Sequence, residues 1–558
     1  MEQQVWNQHY DKEVPYTLDY PDITLYEFFE KAVKESPSQT ATLFFGAKIT
    51  YGKLGRLVDR FAAALAGIGV RKGDRVALIL PNIPAYPIAH FAVMKLGAIL
   101  VPTNPLYVER ELEYQLNNSG AETVIAFDKL HERISSIVSS TSIKRVIYVG
   151  VQEFLSFVGR LAYKLKNFSK VNIDTSSEVH FYSQLMKKNF PAVKYHRTNE
   201  DENAIFLYTG GTTGISKGAV LTHRNLVANV LQTRAWLVGF RDRSEKILAA
   251  LPFFHSYGMT TSLHLAIQAQ STLVLLPRFD VVEVVKTIKK HRPTIFCGVP
   301  SMYGAINLFP GLEPKDVNSI RLCVSGGAAL PSKVQKRFEA LTGGRLVEGY
   351  GLSETSPVAI VNPVFGTRKN GTIGVPIPDT LVRIVDNVNR NVLPLNEVGE
   401  LAIKGPQVMK KYWNMTKETL EVLEDGWLYT GDLAFQDKEG FVTIVDRKKD
   451  IIISAGMNIY PREIEEVLMS HTSVIEVAVV GVPSRVREEV VKAYIVAEPQ
   501  SGLTKTDIID FCVGKLAKYK MPKRIQFCSE LPKSGVGKIL KRVLLEEEKR
   551  SFSDLRGK

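Results

Sequence analysis

The run YTGGTTGISKGAVLTH, residues 208–223, holds the densest set of groups that could do chemistry. Gly210, Gly211, Gly214 and Gly218 allow backbone N–H groups to turn toward an anion at close range, in conformations other residues avoid. Thr209, Thr212, Thr213 and Ser216 add hydroxyl donors, and Lys217 adds a positive charge, as phosphate oxygens require. The run lacks the GxxxxGK[ST] spacing of a P-loop, because Lys217 follows Ser216 and precedes Gly218. AIFLY before it reads as a strand and HRNLVANVLQT after it as a helix, so the expected setting is strand, glycine loop, helix.

Five further segments follow in order: EGYGLSET (348–355), TIGVPIP (372–378), YTGD (429–432), DRKKDIIISAGMNIYPREIE (446–465) and LPKSGVGKILKR (531–542). Together with the glycine loop they resemble the motifs of the adenylate-forming enzymes, which include acyl-CoA synthetases, firefly luciferase and the adenylation domains of peptide synthetases. Ser353 stands where that family usually has Thr. The likeness extends upstream to YGKL (51–54), GDRVALILPN (73–82) and GAILVPTNP (97–105), so it spans almost the whole chain.

The resemblance implies a role for each box. Glu354 beside a triphosphate would be repelled unless it held a cation, so Glu354 with Thr209 is expected to hold Mg²⁺. The loop Gly210, Gly211, Thr212, Thr213, Gly214 and Lys217 is expected to cradle the ATP phosphates. Gly326, Gly327 and Ala328, with Glu348, Gly349 and Tyr350, are implied to border the adenine, Tyr350 stacking on it, and Gly351 and Ser353 of the same box are counted with the nucleotide-binding residues. Asp432 would accept hydrogen bonds from both ribose hydroxyls, and Arg447 is implied to meet the ribose. Lys538, in the glycine setting SGVGKIL, would bring a cation to the substrate carboxylate and α-phosphate as negative charge develops. Lys449 occupies the hinge position about which a small domain turns. Gly456 is implied to face the tunnel for the pantetheine arm of coenzyme A. His255 in PFFHSYG is a candidate for orienting the carboxylate, against the alternative of a satisfied structural histidine. Met259, four residues beyond it, stands where some long-chain members carry an aromatic gate.

These groups need a scaffold. RVALIL, AILVP, ETVIAF, RVIYVG, STLVLLP, TIFCGVP and RLCVSGG are continuous apolar runs separated by helical stretches, which predicts parallel sheets covered on both faces. From about residue 365 short strands with Gly and Pro turns predict a β-rich subdomain, and after 446–450 a compact α/β segment follows. The expected fold class is α/β: residues 1–448 form a large domain of two α/β subdomains plus the β-rich subdomain. Residues 449–558 form a small mobile α/β domain carrying the catalytic lysine.

At 558 residues the chain suits several domains. The net charge of +13 attracts polyanions without choosing among them. Four widely spaced cysteines argue against a zinc site or a disulfide scaffold and for a reducing, cytoplasmic setting. The polar start lacks the features of a signal peptide, and no uninterrupted run of ~18 apolar residues occurs. The segment 154–170, with Arg160, Lys164, Lys166 and Lys170, would suit peripheral contact with the anionic inner face of a membrane, or an ordinary solvated helix. A homodimer is left open, and no nucleic-acid partner is expected.

The segment 104–126 is most similar to long-chain acyl-CoA synthetases, and PFFHSYGMTTSLHLAIQA offers no Asp to meet an α-amine. The expected reaction is ATP-dependent activation of a long-chain fatty acid to acyl-AMP, then thioester formation with CoA. A medium-chain or aromatic acid, or a catalytically lapsed nucleotide- or lipid-binding protein, are the alternatives.

Overall fold

A computed structural model of the chain describes residues 4–156, 159, 179–195, 197, 199–209, 216–454, 457–483, 489–535 and 537–554. Among these residues one sheet has eight strands. Its order is Lys411–Tyr412, Lys217–Thr222, Asn203–Thr209, Ile99–Pro102, Arg75–Ile79, Thr123–Phe127, Arg145–Val149 and Val179–Phe181. The first three are antiparallel to one another, and from Asn203–Thr209 onward every neighbour is parallel.

The central strands show why parallel sheets read as continuous apolar runs. Val76, Leu78, Ile125 and Ile147 face one core, while Ala77, Ile79, Val124, Ala126, Val146 and Tyr148 face another. Alternate side chains leave a strand on opposite sides, so a strand covered on both needs apolar residues throughout. Each such Val, Leu or Ile contributes about 1.5–3 kcal/mol when fully buried.

A nine-stranded sheet stands on the far side of the first core. Its order is Val375–Pro376, Val358–Val361, Arg345–Gly351, Leu322–Ser325, Ile295–Gly298, Lys246–Ala249, Thr272–Leu275, Thr40–Phe44 and Ala47–Thr50. Strands from Arg345–Gly351 to Thr40–Phe44 run parallel. The shared core includes helix Ala85–Lys95, in which every residue from Ala85 to Met94 is buried. A helix apolar on all faces has to be enclosed on all sides, and this one lacks the polar face of a surface helix.

The β-rich region is an antiparallel sheet of Leu381–Val385, Gly399–Lys404, Trp427–Gln436 and Leu423–Glu424, with Val442–Arg447 paired to Trp427–Gln436. Beyond it the hairpin Ile452–Ser454 and Met457–Ile459 precedes helix Pro461–Met469. The sheet Val474–Pro483, Glu489–Ala497 and Arg524–Phe527 then packs with helices Lys505–Cys512 and Lys541–Asp554 around separate apolar clusters. Among the described residues no helix is long and apolar enough to cross a membrane. Most of the basic segment at 154–170 lies outside the described residues.

Candidate active site

The glycine loop joins two strands. Asn203–Thr209 pairs antiparallel with Lys217–Thr222, with Tyr208 opposite Gly218 and Thr209 opposite Lys217. This corrects the expected strand–loop–helix setting. AVLT is apolar enough to return along AIFLY, and helix His223–Trp236 starts only at its N-cap Thr222. At ~3.4 Å per residue the six residues of Lys217–Thr222 put that helix start roughly 20 Å from the loop's neck, out of reach of its dipole. The neck is closed by Ser216 Oγ donating to the Thr209 carbonyl at 2.6 Å, and Tyr114 Oη donates to the Ser216 carbonyl at 2.9 Å. Gly210, Gly211, Thr212, Thr213 and Gly214 lie outside the described residues, as does Gly456.

Glu354 sits in the short turn Ser353–Thr355 after strand Arg345–Gly351. A Cβ at Gly351 would come within 1.8 Å of the Pro357 carbonyl, so only glycine permits the fold-back in which Leu352 N–H donates to that carbonyl at 3.1 Å. The half-buried Glu354 is held at two points. Its backbone carbonyl accepts from Met409 N–H and its Oε1 accepts from Tyr412 Oη, each at 2.7 Å. Ser353 Oγ lies 3.3 Å from Ser256 Oγ, tying this turn to the one that follows His255.

Gly326, Gly327 and Ala328 follow strand Leu322–Ser325, and Glu348, Gly349, Tyr350 and Gly351 end the neighbouring strand, with Ser325 opposite Glu348. Burial pushes the Glu348 carboxyl up to about 7 against the pull of Arg462. Tyr350 Oη donates to Asp432 Oδ2 at 2.5 Å. Asp432 is directly opposite Arg447 across two antiparallel strands, and Arg447 Nε lies 3.2 Å from Asp432 Oδ1. Three boxes separate in sequence thus meet in one charge-paired group around the buried Asp432. Burial and the Asp432 carboxylate hold the Tyr350 phenol well above its ordinary range.

His255 Nδ1 accepts from Tyr257 N–H at 3.3 Å. Burial, then the nearby Lys538 charge, pulls its imidazole down to about 4, so the ring is neutral near pH 7. With Nδ1 an acceptor, the proton of the neutral ring stays on Nε2.

Lys538 arrives from the C-terminal part of the chain. Its loop is a tight turn: Gly537 N–H donates to the Ser534 carbonyl and Ser534 N–H to the Lys538 carbonyl, each at 2.8 Å. Gly537 has φ +79°, a conformation open to glycine, and a Cβ there would lie 3.1 Å from Ser301 Oγ. Gly535 faces Leu106 and Asn104. The loop is therefore docked on the larger part of the chain. Solvent reaches Lys538, yet the protein crowding the cleft lowers its ammonium to about 8, with Arg447 pushing the same way and Asp432 opposing.

Lys449 is exposed in the turn between Val442–Arg447 and Ile452–Ser454. Beside it, Asp446 is buried and accepts from Arg462 N–H at 2.9 Å, at the start of helix Pro461–Met469. Burial raises the Asp446 carboxyl. Met259 is fully buried in the helical turn Met259–His264, and His255 lies just upstream of it.

Sequence reading missed Tyr412, Tyr114 and Asp446. Tyr412 left one trace, the aromatic pair in KKYWN at the end of a stretch read as short strands and turns. Nothing in the sequence ties it to Glu354, 58 residues away.

Residues 29–413 match the family of AMP-binding enzymes, and residues 463–538 match the AMP-binding enzyme C-terminal domain. A Bacillus subtilis (strain 168) protein named long-chain-fatty-acid–CoA ligase is 42% identical, covering 98% of each chain. Among solved structures, ATP-bound MatB from Rhodopseudomonas palustris superposes with a TM-score of 0.83 at 28% identity, over 94% of this chain and 99% of that one. The apo form of the same protein, at the same identity and coverage, gives 0.74. Two family matches reaching from residue 29 to residue 538, on a fold shared with solved members of that kind, establish that this chain belongs to the AMP-binding enzymes.

Proposed function

We infer that the chain is an AMP-forming ligase that activates a long-chain fatty acid with ATP and transfers the acyl group to coenzyme A. The observation that carries this reading is the docking of the Lys538 loop, which brings a cation beside the Asp432–Arg447 pair and His255. The full-length likeness to a long-chain-fatty-acid–CoA ligase supports the choice of acid.

In the first half-reaction a carboxylate oxygen attacks the α-phosphorus of ATP, and the bond to pyrophosphate breaks. Lys538 offsets charge growing on carboxylate and α-phosphate, and neutral His255 offers an Nε2–H donor nearby. Asp432 and Arg447, pre-paired and backed by Tyr350, present a fixed acceptor and cation to the ribose, so little reorganisation is needed on binding. Glu354 has Oε1 on Tyr412 and, among the described residues, no hydrogen bond to Oε2. No group of three His, Cys, Asp or Glu gathers there among the described residues. That donor set fits a Mg²⁺ carried in with the nucleotide and met by Glu354 and Thr209, and such an ion neutralises phosphate charge when bound.

In the second half-reaction residues 449–558 turn about Lys449 and withdraw Lys538. The CoA sulfur attacks the acyl carbon, the bond to the AMP oxygen breaks, and the thiol proton goes to solvent. The closer match to ATP-bound than to apo MatB supports the view that the present arrangement is the adenylate-forming one.

Pyrophosphate release with palmitate, benzoate and each amino acid, with and without CoA, tests the reading. Palmitate alone should release about one equivalent per enzyme, and palmitate with CoA should turn over repeatedly. No release with any acid would overturn it.

A further inference from the structure

We propose that Tyr412 is a positioning residue that fixes the Glu354 carboxylate and keeps it from pairing with Lys217. The proposal rests on the role given to Glu354 above and deepens it.

Tyr412 belongs to the strand Lys411–Tyr412, which pairs with the return strand of the glycine loop, Tyr412 opposite Ala219. Lys410 N–H donates to the Val220 carbonyl at 3.0 Å and Trp413 N–H to the Gly218 carbonyl at 2.8 Å, so its backbone is pinned on both sides. Trp413 stacks on Phe206 of Asn203–Thr209, one strand further in, its ring centroid 4.4 Å away. The buried Tyr412 ring has little freedom left.

From that fixed base the ring serves two charges. Its hydroxyl donates to Glu354 Oε1, and Lys217 Nζ stands over its face 5.1 Å from the centroid. A lysine over the face of a ring and a glutamate on its hydroxyl are opposite charges around one side chain, and an ion pair between them would cost an anionic nucleotide and its cation both partners. Among the described residues Lys217 meets the Tyr412 ring and Glu354 its hydroxyl, with no ion pair between the two charges. The ring face satisfies the ammonium by cation–π attraction, and the phenol O–H occupies one carboxylate oxygen, while the other accepts no hydrogen bond among the described residues. The same segment holds the Glu354 main chain through Met409, so residues 409–413 set both the position and the orientation of this acid.

Tyr412→Phe removes the hydroxyl and keeps the ring. Mn²⁺ binding to the enzyme with a non-hydrolysable ATP analogue, followed by the electron paramagnetic resonance of free Mn²⁺, reads the consequence without turnover. A charge-assisted hydrogen bond of ordinary strength predicts an affinity lower by about tenfold. The KM for MgATP should rise by a similar factor, with the KM values for fatty acid and CoA within about twofold of wild type. On a Glu354→Gln background the same change should add less than about twofold, because partners that act as a unit are not additive. Wild-type Mn²⁺ affinity in a folded Tyr412→Phe protein, or an undiminished effect on the Glu354→Gln background, would overturn the proposal. The Mn²⁺ titration is informative even if no acid supports pyrophosphate release, so the two readings fail separately.

Discussion

In the role proposed for it Lys538 has to be charged to neutralise a developing anion, and its surroundings make that charge costly. Protein packed about the cleft, then Arg447, lowers its ammonium from 10.5 to about 8. The charged form is present below that pH and is lost above it. At subsaturating ATP the rate of adenylate formation should therefore fall as pH rises through 8, approaching about tenfold per unit at higher pH. Lys538→Arg, whose guanidinium stays protonated, should flatten that limb even if its absolute rate is lower. Lys538→Ala should lose on the order of 10²–10³ in adenylate formation, while conversion of supplied acyl-AMP to acyl-CoA persists. A stopped pyrophosphate assay across pH checks the first two, and thioester formation from synthetic adenylate checks the third. Lys538, Asp432 and Glu354 drew notice in the sequence because each is a charged residue set in a glycine-bearing motif. Tyr412 and Asp446 were not, because what they do depends on a partner brought close only by folding: Glu354 for one, Arg462 for the other.

At the scale of elements, legibility followed burial. Strands such as Arg75–Ile79 and Thr123–Phe127 declared themselves because both faces are covered and no polar residue is tolerated between the apolar ones. The return strand Lys217–Thr222 did not, because it begins in the glycine motif and runs straight into its helix cap, so its four apolar-to-hydroxyl residues looked like a helix approach. Sheet order was also invisible. Thr40–Phe44 lies beside Thr272–Leu275, a partnership that spacing along the chain does not encode. The turn after Arg345–Gly351 offers a direct test of an element. Gly351→Ala puts a methyl against the Pro357 carbonyl and has no flexible side chain to push aside. The main chain must yield, which should cost on the order of 2–4 kcal/mol and misplace Glu354. A thermal melt should show the loss, and an unchanged midpoint with normal MgATP affinity would mean that the turn has room the geometry denies.

For the whole molecule, the question is whether one arrangement of the two lobes can serve both half-reactions. Besides the Lys538 loop, the lobes meet where Lys333 Nζ donates to the Thr472 carbonyl at 3.1 Å. Cysteines at both positions, in a Cys528→Ser background and joined by a short bismaleimide, should hold the present arrangement. The linked enzyme should release about one equivalent of pyrophosphate with palmitate and then stop, with or without CoA. Cleavable linkage should restore turnover when cut. Steady acyl-CoA production by the fully linked protein would remove the need for any rotation about Lys449.

That same rotation would part Asp446 from the Arg462 amide at the start of helix Pro461–Met469, since one lies before Lys449 and the other after it. A helix start stripped of its acidic partner loses about 1 kcal/mol, roughly a fivefold change in population. In the proposed cycle this contact would favour the pose that consumes nucleotide, and thiol capture would be an excursion from it against about 1 kcal/mol.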